Sequence, residues 1–316
     1  MSTFFFSHDA FNDHYTGVNH PERAERVQFI LKSIENISSN NLKRLNAPRA
    51  SLSQIGYVHS EEYISKIFSL VPESGLTYLD ADTVISRSSW EAALRAVGGA
   101  CAGVDAVLEA KATNSFCAIR PPGHHAEPSR GMGFCLFNNI AIAAMHAKKN
   151  HGIKRVCIVD FDVHHGNGTQ AAIDQHQDIL YASSHQYPAY PGSGDQHDCG
   201  SLNNVINVPL RPGAGSELFR EAYEKKIFPS LRKWSPELLL ISAGFDAHFR
   251  DPLAELQLTS EDFSWVTKKL LNIAHEFCGN RVVVILEGGY DLEALSVCVN
   301  QMIRDLLAVA DGAVPA

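Results

Sequence analysis

Short, continuously apolar runs alternate along the chain with longer amphipathic ones. The runs that read as strands are Phe4–Phe6, Phe116–Ile119, Val156–Val159, Ile179–Tyr181, Val205–Val208, Leu238–Ile241 and Val282–Leu286. Several, among them VCIV, LLLI and VVVIL, contain no polar position. A strand with one wet face alternates polar and apolar residues. Unbroken apolarity therefore predicts parallel strands covered on both faces.

Between these runs the period becomes helical. In PERAERVQFILKSI, residues Ala24, Val27, Ile30, Leu31 and Ile34 form one apolar stripe. From Ser88, SSWEAALRAVGGACAGVDAVLEA predicts one long helix with a Gly pair inside it. NNIAIAAMHAKKN opens another at Asn138. TSEDFSWVTKKLLNIAHEF begins with Thr259 and carries Asp262 three residues on, a capping-box arrangement. Strand–helix alternation of this kind predicts a three-layer α/β/α sandwich with a central, mainly parallel sheet. No repeat or linker interrupts it, and clusters such as YPGSG and LRPGAGS are short turns. Residues 1–316 are expected to form a single domain.

The reactive residues fall where predicted strands end. Phe116–Ile119 runs into Arg120-Pro-Pro-Gly-His124-His125, and Val156–Val159 into Asp160-Phe-Asp162-Val-His164-His165-Gly-Asn167. Leu238–Ile241 runs into Ser242-Ala-Gly-Phe-Asp246, and Val282–Leu286 into Glu287-Gly-Gly-Tyr290. Open α/β sheets bind ligands beyond the carboxyl ends of their strands, which implies one shared site.

Asp162 and His164 are two apart, and in extended backbone such residues point the same way. Asp246 would complete the group from another strand end. Two carboxylates, one imidazole and an open position suit a catalytic Zn²⁺, with Fe²⁺ or Co²⁺ as alternatives. Taken singly, each residue reads as a helix cap or a buried structural histidine. Three together at strand ends do not. His124 and His125 form a tandem pair, and Asp160 and Asn167 are placed to hydrogen-bond one ring each. A carboxylate favours imidazolium more than an amide does, so the two rings should differ in role. Tyr290 follows two glycines and would bring a phenol near the metal, where it could donate to an oxyanion.

Composition narrows the setting. The chain has 15 His, 7 Cys and a formal net charge of −8. The acidic balance argues against direct nucleic-acid binding and favours cationic partners. An odd cysteine count without CxxC fits reduced, mostly buried thiols. The start, MSTFFFSHDAF, lacks a basic leader segment, and no apolar run nears the ~20 residues of a membrane span. A cytoplasmic location away from membranes is expected. His8, His14 and His20 lie in an N-terminal loop that either borders the site or is a solvated turn.

Taken together, RPPGHH, DFDVHHGNG, SAGFDAH and LEGGY resemble the zinc-dependent histone deacetylase family and its arginase–deacetylase fold. HPER near the start and Asn167 resemble its class II and bacterial branch. The resemblance implies Asp162, His164 and Asp246 as zinc ligands. It implies His125 as the main general base and then acid, His124 as a stabiliser of charge, and Asp160 and Asn167 as their respective partners. Tyr290 would polarise the amide carbonyl. Gly133 and Phe134 of GMGF, with Tyr190, would wall an acyl-lysine tunnel, Leu253 would stand at its rim, and Arg23 would line an acetate-release cavity. A structural K⁺ held by Asp160, Asp162, His164, Ser183 and Ser184 is also implied, with a second monovalent site near Ile173, His176, Ile179 and Asn204.

The activity so implied is removal of acetyl or short acyl groups from lysine side chains of proteins or peptides by metal-activated water. An acetylpolyamine amidohydrolase uses the same site and stays open as an alternative. Leu253 tilts towards lysine, because an acidic residue there would attract a second ammonium. An arginase-like ureohydrolase needs a two-metal cluster, and a single Asp-x-His argues against it. A non-catalytic binding module would lack a catalytic residue, and all are present. By analogy with bacterial members, the resemblance implies a homodimer or homotetramer.

Overall fold

The computed structural model describes residues 2–314. In chain order the strands are β1 (Thr3–Ser7), β2 (Leu42–Asn46), β3 (Leu76–Tyr78), β4 (Val84–Ser86) and β5 (Asn114–Cys117). They continue as β6 (Val156–Asp160), β7 (Ile179–Gln186), β8 (Val205–Leu210), β9 (Leu238–Ala243) and β10 (Val282–Leu286). Eight of them form one sheet in the order β2-β1-β5-β10-β9-β6-β7-β8. Every pair in that sheet is parallel. β3 and β4 form a separate antiparallel hairpin.

The apolar runs become strands because both faces of the sheet are covered. One transverse row across the sheet is Phe5, Phe116, Val284, Ile241 and Val159. These side chains join the core beneath the helices Glu25–Ile34, Ser260–Phe277 and Leu292–Ala310. Neighbouring positions such as Phe6, Cys117, Ile285 and Ile158 face the opposite core, under the helices Ser89–Leu108 and Asn139–His151. The expected α/β/α layering is therefore present. Helix starts follow the sequence signals as well. Asn138 accepts from Ala141 N, and Thr259 and Asp262 form a capping box.

The next row towards the strand C-termini is where the sheet turns polar. There Cys117 and Ile285 are followed by Ser242, Asp160 and Ser183. The change from apolar to polar within one residue step marks the floor of the site. All seven cysteines are free; Cys199 is exposed and the others are buried. Among the described residues, no helix is long and apolar enough to cross a membrane.

Candidate active site

The four strand ends singled out from the sequence belong to β5, β10, β9 and β6, which are consecutive in the sheet. Parallel pairing puts all four reactive segments on one edge. Asp162, His164 and Asp246 each present a ligand atom there, all within 4.8 Å of one another. His164 Nδ1 lies 3.2 Å from Asp162 Oδ1 and 3.2 Å from Asp246 Oδ2. Asp162 and His164 converge differently from the extended geometry expected. The chain bends after Asp160, and His164 N donates to Asp162 Oδ1 at 2.9 Å, closing a tight turn.

This group fits a divalent cation on its own chemistry. Asp246 Oδ2 is buried and has no hydrogen-bond partner among the described residues. Its other oxygen accepts from Val163 N at 2.9 Å, while Asp162 Oδ2 accepts from Gly288 N at 2.8 Å. A Cβ on Gly288 would come within 2.2 Å of Asp246 Oδ2, so glycine is what lets the β10 end close over the carboxylates. Burial and then the Asp162 charge push Asp246 up to about 6. Two buried carboxylates with one orphan oxygen are costly until a cation neutralises them.

A second group, Asp105, His146 and His151, also gathers ligand-type atoms, between the helices Ser89–Leu108 and Asn139–His151. There both imidazoles donate to the same Asp105 Oδ1, at 2.6 and 2.7 Å. That group is satisfied by its own hydrogen bonds and leaves no buried orphan.

The tandem histidines stand over the first group with their ring centroids 4.0 Å apart. His124 Nδ1 meets Asp160 Oδ2 at 3.0 Å, and His125 Nδ1 meets Asn167 Oδ1 at 2.8 Å. The predicted partners are therefore the observed ones. Burial opposes charge on His124, but Asp162 and Asp160 outweigh it and raise the ring to about 10. Burial, then the His124 and His164 charges, hold His125 well below its ordinary value. The rings are driven in opposite directions, as the Asp and Asn partners predict.

A cleft of ≈ 220 Å³ leads to this floor. Phe134, Tyr190, Leu253 and Tyr290 line it, with Gly133 beside the histidines and Asp82 at the polar side. The Phe134 and Tyr290 rings meet edge-on at 5.8 Å, and Tyr190 stands edge-on to His125 at 5.1 Å. Burial pushes the Tyr290 phenol well above its ordinary value, so it is a protonated donor. His20 packs edge-on against Phe134 at 4.8 Å, which places that loop histidine beside the cleft. His14 is instead buried against Ser89.

Arg23 requires correction. It is exposed on the helix approach, and the arginine behind Tyr290 is Arg26, wholly buried, with its guanidinium 4.9 Å from the Tyr290 ring centroid. Arg26 donates to Gly289 O at 2.7 Å and to Glu287 O at 2.5 Å. An exposed and a buried arginine one turn apart look alike in sequence, and the Val27–Ile30–Ile34 stripe, which faces inwards, was the available signal.

Three more carboxylates escaped the sequence reading. Glu287 Oε2 accepts from Gly123 N and His124 N at 2.6 and 3.1 Å and so fixes the tandem-histidine turn. Burial pushes it up to about 7. Asp251 accepts from Tyr290 N at 2.7 Å. Asp82 sits next to Asp80 and, by burial first, is raised.

For the implied monovalent ions, Ser183 lies opposite Asp160 in the β6–β7 register, with Ser184 next to it. At the second position Asn204 Nδ2 donates to the carbonyls of Ile173, His176 and Ile179 at 3.3, 3.2 and 3.0 Å, so an amide occupies that ring of oxygens.

Comparison with known proteins agrees with this geometry. The model of the histone deacetylase domain matches residues 20–306. The chain is 39% identical over 309 residues to histone deacetylase 14, chloroplastic, of Arabidopsis thaliana, covering 92% of this chain and 73% of that protein. It is 38% identical over 285 residues to the histone deacetylase-like amidohydrolase of Pseudomonas aeruginosa, covering 88% and 75%. The crystal structure of the HDA15 HD domain superposes with a TM-score of 0.91 at 33% identity, covering 97% of this chain and 88% of that one. The chain belongs to the histone deacetylase family and is a hydrolase of its deacetylase and amidohydrolase kind.

Proposed function

We propose that this hydrolase removes acetyl or short acyl groups from lysine side chains of peptides or proteins, with Zn²⁺ held by Asp162, His164 and Asp246. The observation that carries the reading is a narrow aromatic cleft that ends on two histidines of opposite charge preference and a protonated phenol. When bound, the cation polarises an amide carbonyl and makes a water molecule acidic.

The residues of the chain do the rest. Phe134 and Tyr190 flank the methylenes of the side chain and exclude bulk water. His125, with Nδ1–H bonded to Asn167, offers Nε2 to the proton of the attacking water. His124, held as imidazolium by Asp160, stabilises negative charge beside it. Tyr290 donates to the carbonyl oxygen as that atom becomes an oxyanion. The proton on His125 then passes to the leaving nitrogen. One amide and one water give one carboxylate and one ammonium, so both protons of the water end on the nitrogen.

The acetylpolyamine reading is supported by a specific feature, the Asp80–Asp82 pair beside the cleft, which suits a second ammonium. Leu253 at the rim supports lysine instead. One parallel assay decides: acetyl-lysine peptide, trifluoroacetyl-lysine peptide and acetylated polyamines, with metal content of the same sample. Turnover of the peptides above the polyamines is expected. Polyamine turnover alone would reverse the order, and inertness towards all three would end both readings.

We extend the proposal to a K⁺ at Asp160, Asp162, His164, Ser183 and Ser184, on the β6–β7 register that brings Asp160 opposite Ser183. A reducing compartment such as the cytoplasm is supported by seven free thiols.

A further inference from the structure

One carboxylate beside the site has no part in the steps above. Glu127 stands two residues beyond His125 in a turn closed by Glu127 N donating to Arg130 O at 2.8 Å. Its Oε1 accepts from Asn167 Nδ2 at 2.8 Å. The other end of the same amide, Asn167 Oδ1, faces His125 Nδ1 at 2.8 Å. An ionised carboxylate only accepts, so the amide end facing Glu127 has to be its NH₂. The carbonyl end then faces His125, Nδ1 carries the proton, and Nε2 keeps its lone pair. With the amide turned over, NH₂ would donate to Nδ1 and the proton would sit on Nε2, the atom that must accept one.

Among the described residues, nothing else directs this amide comparably. The other neighbours of Nδ2 are Met132 Sδ at 3.4 Å and His125 O at 3.5 Å, a weak acceptor and a long contact. The Asn167 backbone is fixed more firmly. Thr169 N donates to His124 O at 3.0 Å, and a Cβ on Gly168 would meet Ala126 O at 2.3 Å. The start of the helix Asn167–Ile173 thus sits tightly on the His125–Ala126 backbone. What remains free is the terminal amide torsion, which is broad and roughly two-fold.

We infer that Glu127 is a positioning residue: it fixes the direction of the Asn167 amide and, through it, the tautomer of His125. The inference rests on the reading of His125 as the base. His124 needs no third member, because its acceptor is already the carboxylate of Asp160. The two histidine lines differ in that one ends directly on a carboxylate and the other reaches its carboxylate through an amide.

The test uses the zinc-loaded full chain and the variants E127A, E127Q, N167D and E127A/N167D. Long-range ¹⁵N–¹H NMR reads which nitrogen of His125 carries the proton. The expected result is Nδ1–H alone in the wild type and a mixture in E127A. There kcat falls roughly tenfold, a part of the about 10²–10⁴ that a positioned base contributes, with KM unchanged. E127Q offers an NH₂ as well as an oxygen, so it no longer dictates the amide direction and gives a mixture and a loss like those of E127A. In N167D either oxygen accepts, so orientation no longer matters; adding E127A then removes a like-charge contact and causes no further loss. A single Nδ1–H tautomer in E127A, or an equal loss in both backgrounds, overturns the inference. The NMR readout is independent of turnover. A wild type inert towards every acyl-amine would defeat the proposed function and leave the tautomer to decide the role of Glu127.

Discussion

At Tyr290 one oxygen atom carries the expected chemistry. Burial keeps the phenol protonated, and Arg26 stacks on its ring while Asp251 holds its backbone nitrogen. Replacing Tyr290 by Phe leaves both supports in place and removes only the donor. Turnover should fall by about 10²–10³, the usual cost of one oxyanion donor, with metal content and thermal midpoint unchanged. Near wild-type turnover would take Tyr290 out of the mechanism. Asp246 is the complementary case, because its buried Oδ2, 3.2 Å from His164 Nδ1 but without a hydrogen bond, suits a cation. Asp246→Ala should lose the metal, measured as stoichiometry after dialysis. An intact stoichiometry would mean the ligand set is wrong.

At the level of elements, the start of the helix Ser260–Phe277 depends on Asp262. Its carboxylate accepts from Thr259 N at 3.0 Å, Ser216 Oγ at 2.7 Å and Arg220 Nε at 2.9 Å, tying two helices together. Asp262→Ala removes the cap and leaves half-buried donors short of a partner, for a loss of roughly 1–3 kcal/mol in urea unfolding. A loss below ~0.5 kcal/mol would show that the cap is incidental. The Thr259–Asp262 pair was legible in the sequence because capping is local. The apolar strands were legible because both their faces are covered. β2 was not: LKRLN is an exposed edge strand with only Leu42 buried, so no apolar period marks it. The C-terminal half of β7 was missed for the opposite reason. Its buried residues Ser183, Ser184 and His185 are polar, since they form the floor of the site. The candidate ligands and the tandem histidines were visible as motifs at strand ends. Glu127, Glu287 and Asp251 act across long separations in the chain, which no local pattern encodes.

For the whole molecule, the decisive joint is between the N-terminal loop and the sheet. Glu22, wholly buried, receives Arg120 Nε at 2.5 Å and Arg26 Nη1 at 3.1 Å. Arg120 also donates to Phe11 O and, at 3.2 Å, to His14 O, while Arg26 reaches β10 through Glu287 O. One carboxylate thus joins the loop, the end of β5 and the segment that carries Tyr290. Burial alone would raise Glu22, but Arg120 and then Arg26 outweigh it and hold it at about 2, against an ordinary 4.5. A depressed carboxylate stabilises the fold above its unfolded value, and that contribution is lost as pH falls towards the folded one. The window therefore runs from about pH 4.5 down to about pH 2. Glu22→Gln leaves two buried guanidinium groups without a counter-charge and should lower stability at neutral pH by about 3–5 kcal/mol. The variant should also lose this part of the acid slope, so urea midpoints of the two proteins should converge as pH falls through the window. Parallel curves would show that Glu22 titrates normally and does not lock the loop. Because Arg26 supports the turn behind Tyr290, kcat of the variant should fall together with its stability, linking a joint at the N-terminus to the chemistry at the centre of the sheet.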